Sequence, residues 1–185
     1  MYEIRIHGRG GQGAKTVAQI LAEAAVLDGK EARAFPEYGP ERSGAPVASY
    51  VRISDKPIKT YEPVSAPDAV LVLDETLVGA IDFLEGLSDD GILIVNTKKD
   101  KNTLKEKLEF NGRIITVDAK KISFEAIGEN RPNIPVLGAF IKASQDIVSS
   151  KAAKQSIRNI FLKKIGEKKT KGNIEALREA YKAKE

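Results

Sequence analysis

The feature that most limits what this chain can fold into is the run HGRGGQGAKT, His7 to Thr16, which carries glycine at positions 8, 10, 11 and 13. Ahead of it, Tyr2 to His7 alternates and is rich in isoleucine, as a short strand is. Behind it, Val17, Ile20, Leu21, Ala24 and Leu27 recur at helical spacing until Gly29, where a helix C-terminus calls for a left-handed residue. A strand that turns through glycines straight into a helix opens a βαβ unit, and it commits the chain to alternating strands and helices.

The remaining pattern agrees. Glu31 to Phe35 reads as a second strand, ending at PEYGPERSGAP, Pro36 to Pro46, eleven residues with three prolines and two glycines. Loops of that length and composition are disproportionately functional. Val47 to Ser54 alternates and, with Ile58 to Tyr61, reads as an antiparallel hairpin inserted in an otherwise parallel sheet. Ala69 to Leu73, Ile92 to Val95 and Ile114 to Asp118 read as buried strands. Helices are expected from about Leu77 to Leu87, Thr103 to Leu108 and Ser123 to Ile127, and again from about Val136, Ser150 and Asn173. The expected fold is a three-layer α/β/α sandwich with a Rossmann-like, mostly parallel sheet and a helical C-terminus. It forms one domain over residues 1–185, with an α/β core to residue 128 and helices from 129 onward.

Composition narrows the chemistry. There is no cysteine and a single histidine, His7, so thiolate clusters, disulfides and Cys/His zinc sites are excluded, and any redox role must borrow its cofactors. No apolar run approaches the ~20 residues of a membrane span, and MYEIRIHG lacks a signal-peptide pattern, so a cytoplasmic protein without membrane contact is expected. The net charge of +4 is concentrated in residues 151–185, which carry +7, leaving −3 on the rest. Aromatic residues are too sparse in that tail for nucleic-acid stacking, and it reads as the polar faces of two amphipathic helices.

Gly8, Gly10 and Gly13 match GxGxxG, a pattern shared by phosphate cradles and by structural turns: glycines admit backbone N–H groups to a phosphate, and the helix N-terminus adds partial positive charge. For a stand-alone nicotinamide-binding protein, an acid is expected about 20 residues further on at the second strand's end. Phe35 and Pro36 stand there, with Glu37 an imperfect substitute. For a P-loop, Ala14 intervenes before Lys15 and Thr16, which turns Lys15 about 100° from the phosphates.

Taken together, GRGGQGAKT and PEYGPERSGAP resemble the gamma subunit, or gamma domain, of the 2-oxoacid:ferredoxin oxidoreductases. Asn133 to Phe140 (NIPVLGAF) is similar to that family's N-x-P-x-L-G segment, and Gly172 to Tyr181 to its closing helix, so the resemblance covers nearly the whole chain. Glu41 to Pro46 followed by Tyr50 to Ile58 looks more like the pyruvate-type subunits than the 2-oxoglutarate-type ones. The resemblance implies a complex that converts a 2-oxoacid, CoA and oxidised ferredoxin to acyl-CoA, CO2 and reduced ferredoxin. Thiamine diphosphate with Mg2+ would sit on alpha and beta subunits, and iron–sulfur clusters on beta and a small delta subunit. This chain would hold no cofactor alone and no catalytic residue. It would form a wall near thiamine and the CoA entry through Gly8, Arg9, Gly10, Gly11, Gln12 and Gly13, with Glu41, Arg42 and Ser43, or act purely as a scaffold. Arg9, Lys15 and Arg42 would pair with CoA phosphates or partner carboxylates. His7 reads as a satisfied strand-end residue, and Asp74 with Glu75 as the N-cap of the helix expected from Leu77.

Overall fold

A computed structural model describes residues 1–37 and 44–183. Its elements run β1 (Tyr2–Arg9), α1 (Ala14–Leu27), β2 (Glu31–Pro36), β3 (Pro46–Ser54), β4 (Ala69–Val72), β5 (Ile92–Asn96), α2 (Lys101–Leu108), β6 (Arg113–Val117), α3 (Ala119–Ile127), α4 (Asn133–Ala143) and α5 (Ser150–Lys182). The six strands form one sheet in the order β2-β3-β1-β4-β5-β6. β1, β4, β5 and β6 are parallel, while β3 lies antiparallel between β1 and β2. The expected α/β class and helical C-terminus are present.

Strand alternation sorts the apolar residues onto two faces. Ile4, Ile6, Val51, Leu71, Ile94 and Ile115 join α1, α3, α4 and α5 in the larger core. Val70, Val72, Leu93 and Val95 point the other way, towards Leu77, Phe83, Leu104 and Phe110. Helix α2 and an irregular stretch supply that second layer. Beside it, β1 and β3 present two arginines that are 7% and 4% exposed. Arg5 donates to the carbonyls of Val64 (3.3 Å), Phe83 (3.0 Å) and Glu85. Arg52 donates to the carbonyls of Glu62 (2.6 Å) and Pro63 (3.4 Å), pairs with Glu3 at 2.5 Å and lies over the Phe35 ring. Guanidinium groups thus hold irregular backbone against the sheet, where charge-assisted hydrogen bonds are stronger than neutral ones.

Three expectations are corrected. Ile58 to Tyr61 forms no strand, because both edges of β3 are taken, by β1 on one side and β2 on the other. The stretch from Leu77 to Leu87 is not an α-helix. A single 3-10 turn, Glu75–Leu77, is followed by Gly79 and Gly86 at φ 88° and 75°, and the carbonyls of Phe83 and Glu85 serve Arg5 instead of a helical ladder. The break expected near Asn173 falls at Gly166, at φ 78° and ψ 168° inside α5. Gly172 is helical, and a Cβ there would meet Ile127 at 2.7 Å and the Ala126 carbonyl at 2.8 Å.

Candidate functional site

The glycine loop leaves the carboxyl end of β1, where open α/β sheets place their ligands. Its backbone is tied to the second loop: Gly10 N–H donates to Ala45 O at 2.9 Å and Gly44 N–H to Gly10 O at 3.3 Å. Gln12 Oε1 accepts from Arg9 N–H at 2.8 Å, and Gln12 Nε2 donates to Asp74. Arg9 reaches Thr76 Oγ1 at 2.9 Å and the Gly44 carbonyl at 3.1 Å, with Asp74 at 3.8 Å. Burial opposes charge on Asp74, but hydrogen bonds from Thr76 and Gln12 outweigh it and hold the carboxyl below its usual range. Asp74 also caps the 3-10 turn through Thr76 N–H at 2.9 Å, the capping role expected of it on a shorter element. Glu75 instead accepts from Thr97 Oγ1.

Gly13 stands at φ 88° as the N-cap of α1, and a Cβ there would lie 2.5 Å from Asn133 Nδ2. Asn133 is the first residue of α4 and is 7% exposed. The start of NIPVLGAF therefore meets the end of GRGGQG. Further along the same segment, Gly138 lets α4 press on α5, since a Cβ would sit 2.5 Å from the Leu177 carbonyl.

A cleft of about 710 Å³ opens at this junction, within the roughly 300–1,000 Å³ of small-molecule sites. Gly10, Gly11, Gly13 and Lys15 line one side, and Arg131 with Asn133 a second. Phe161, Ile165 and Lys169 flank the break in α5 and line a third. Two helices begin here, α1 and α4, whose first turns leave backbone N–H groups free for an anion. Asn133 Oδ1 is buried without a hydrogen-bond partner among the described residues. Lys15 is exposed and makes no hydrogen bond or ion pair among the described residues.

Of the expected site residues, Arg9, Gly10, Gly11 and Gly13 line the cleft together with Lys15. Gly8 backs onto Leu73, and the Gln12 side chain is turned inward to Asp74. Glu41, Arg42 and Ser43 lie outside the described residues. His7 departs from expectation: it lies in β1 beside Phe83, ring centroids 6.3 Å apart, with Nε2 buried and unpartnered. Burial, reinforced by the charge of Arg5, pushes its pKa down to about 4. Arg131, Phe161 and Lys169 lie outside the sequence motifs, and Asn133 belongs to one only as the first residue of NIPVLGAF. Asn133 carried a usable signal, a polar residue opening an apolar helix beside proline. Phe161 and Lys169 reach the cleft through the path of the chain around Gly166, and Arg131 through its place just before α4.

The family model for pyruvate ferredoxin/flavodoxin oxidoreductase matches residues 3–183. The chain is 47% identical over 180 residues to pyruvate synthase subunit PorC of Thermotoga maritima, covering 97% of this chain and 93% of that one. It is 46% identical over 186 residues to the pyruvate/ketoisovalerate oxidoreductases common subunit gamma of Pyrococcus furiosus, covering 100% and 98%. The crystal structure of pyruvate oxidoreductase subunit PORC from Thermotoga maritima superposes with a TM-score of 0.85 at 45% identity, over 97% of this chain and 94% of that one. With the three motifs meeting at one cleft and similarity running end to end, the chain belongs to the pyruvate ferredoxin/flavodoxin oxidoreductase family, as its gamma-type subunit.

Proposed function

We propose that this chain works inside a complex that oxidatively decarboxylates pyruvate with CoA, yielding acetyl-CoA, CO2 and reduced ferredoxin, and that its glycine cleft forms part of the CoA-binding wall. Thiamine diphosphate, Mg2+ and iron–sulfur clusters belong to alpha, beta and delta partners in this reading, because the chain has no thiolate to offer a cluster. The observation that carries the proposal is the cleft itself. It combines free N–H groups at the starts of α1 and α4, an unpaired Lys15 and an apolar wall from Phe161 and Ile165. Such a surface suits the charged and apolar parts of a phosphorylated thioester carrier.

Within this reading the loop's residues divide their work. Gly10, Gly11 and Gly13 bring the backbone close, and Lys15 supplies charge. Arg9 and Gln12 hold the loop's shape, since Arg9 Nε and Nη1 are engaged by Thr76 and Gly44 and Gln12 Nε2 by Asp74. Lys15→Ala in the assembled complex therefore raises KM for CoA with kcat and assembly unchanged. Arg9→Ala instead lowers stability. Arg42→Ala separates this reading from a pure scaffold, for which assembly suffers and KM for CoA stays put. Co-purification from the native host tests the partners directly: a chain recovered alone and active with NAD(P) would overturn the proposal.

A further inference from the structure

On the lining of the same cleft, Glu129 lies between two cations. Its Oε1 accepts from Lys169 Nζ at 2.5 Å and its Oε2 from Arg131 Nε at 3.2 Å. Lys169 follows the break in α5, Arg131 sits just before α4, and both side chains are about half exposed, at 55%. All three residues line the cleft together with Lys15 and the first residues of α1. Asn133, two residues after Arg131, also lines the cleft, is 7% exposed and has a buried Oδ1 without a partner among the described residues.

We infer that Arg131 and Lys169 are a second cationic arm of this cleft, held by Glu129 until a phosphate-bearing ligand with two or more charges enters and displaces that carboxylate. The inference builds on the cleft being a ligand site, as in the proposed function, but it does not require that ligand to be CoA. Glu129 is an internal competitor. Its two ion pairs are solvent-exposed, so each is weak and readily exchanged. A polyanion in this cleft has Lys15 and the α1 N-terminus on its lining, and two further cations beside them. Glu37 is the other carboxylate on the lining among the described residues, and it belongs to the β2 side.

The test titrates inorganic pyrophosphate into the full chain by calorimetry, at low and moderate salt. Glu129→Gln tightens pyrophosphate binding by about three- to tenfold and steepens its salt dependence. Arg131→Gln and Lys169→Gln each weaken it, and in those backgrounds Glu129→Gln gains less. Unfolding temperatures of the free variants confirm that the fold is intact. Absence of pyrophosphate binding, or unchanged or weaker binding in Glu129→Gln, overturns the inference. If pyrophosphate follows the expected pattern while KM for CoA in the assembled complex ignores all three substitutions, the second arm stands and the CoA reading of the cleft falls.

Discussion

Gly13→Ala probes the junction on which the site depends. At φ 88° an alanine bears the left-handed penalty of about 1–2 kcal/mol. Its Cβ would also lie 2.5 Å from Asn133 Nδ2 and 3.1 Å from Cγ, well inside van der Waals contact, so Asn133 must move although it is buried at the start of α4. Forcing a methyl into such a contact costs about 1–3 kcal/mol more. Gly11 provides the control: at φ 93°, with none of the described residues within 4 Å of a Cβ, Gly11→Ala carries the backbone penalty alone. Thermal unfolding should then show Gly11→Ala lower by about 2–8 °C and Gly13→Ala by about 4–20 °C, at roughly 2–4 °C per kcal/mol for a chain of this size. Placing both alanines in an Asn133→Ala background completes a double-mutant cycle, in which the excess cost of Gly13→Ala disappears while that of Gly11→Ala persists. Equal losses for the two glycines, or an excess that survives removal of Asn133, would refute the claim that this side chain fixes the approach of α1 to α4.

His7 is the single histidine, so its ring signals in proton NMR are unambiguous. With a folded pKa near 4 against about 6.5 unfolded, it stays neutral above pH 5, and stability falls by about 3 kcal/mol as pH drops from 6.5 through 4. His7→Leu removes that part of the acid loss, and a ring titrating near pH 6.5 in the folded chain would contradict the burial argument. Arg5→Leu strands the carbonyls of Val64, Phe83 and Glu85, so hydrogen exchange should accelerate across residues 77–87 while the β1–β4 ladder stays protected. Asp74→Ala frees Gln12 and Arg9 and costs about 1–3 kcal/mol in chemical denaturation. Because the Asp74 carboxyl is held below its usual range, its contribution is present near neutral pH and fades only as acid protonates it.

The parallel strands and α1 were legible because their signals are local: runs such as Ala69 to Val72, helical spacing from Ala14, and glycines where the chain must turn. Strand order was not. β3 separates β1 from β2, so the end of β2 stands one strand further from the glycine loop than a dinucleotide site requires, and no pattern within Pro46–Ser54 announces that both its edges are filled. The stretch after Leu77 carried apolar residues at helix-like intervals, but the buried guanidinium of Arg5, some seventy residues earlier, claims its carbonyls. The site divided in the same way. Gly13 was visible as a turn residue. That Asn133 is what presses on it, and that Lys169 reaches the same cleft, depends on packing between segments more than a hundred residues apart.

Arg5 and Arg52 grip main-chain oxygens, and every polypeptide has those in the same places. The covering segments from residue 55 to 67 and from 77 to 90 are therefore anchored by what they share with any sequence as well as by the buried side chains of Ile58, Val64, Leu77 and Phe83. Exposed residues such as Lys59, Tyr61 and Glu85 can be exchanged without loosening that grip. This side of the molecule can be redecorated to suit a different neighbour while the glycine junction across the sheet is left undisturbed.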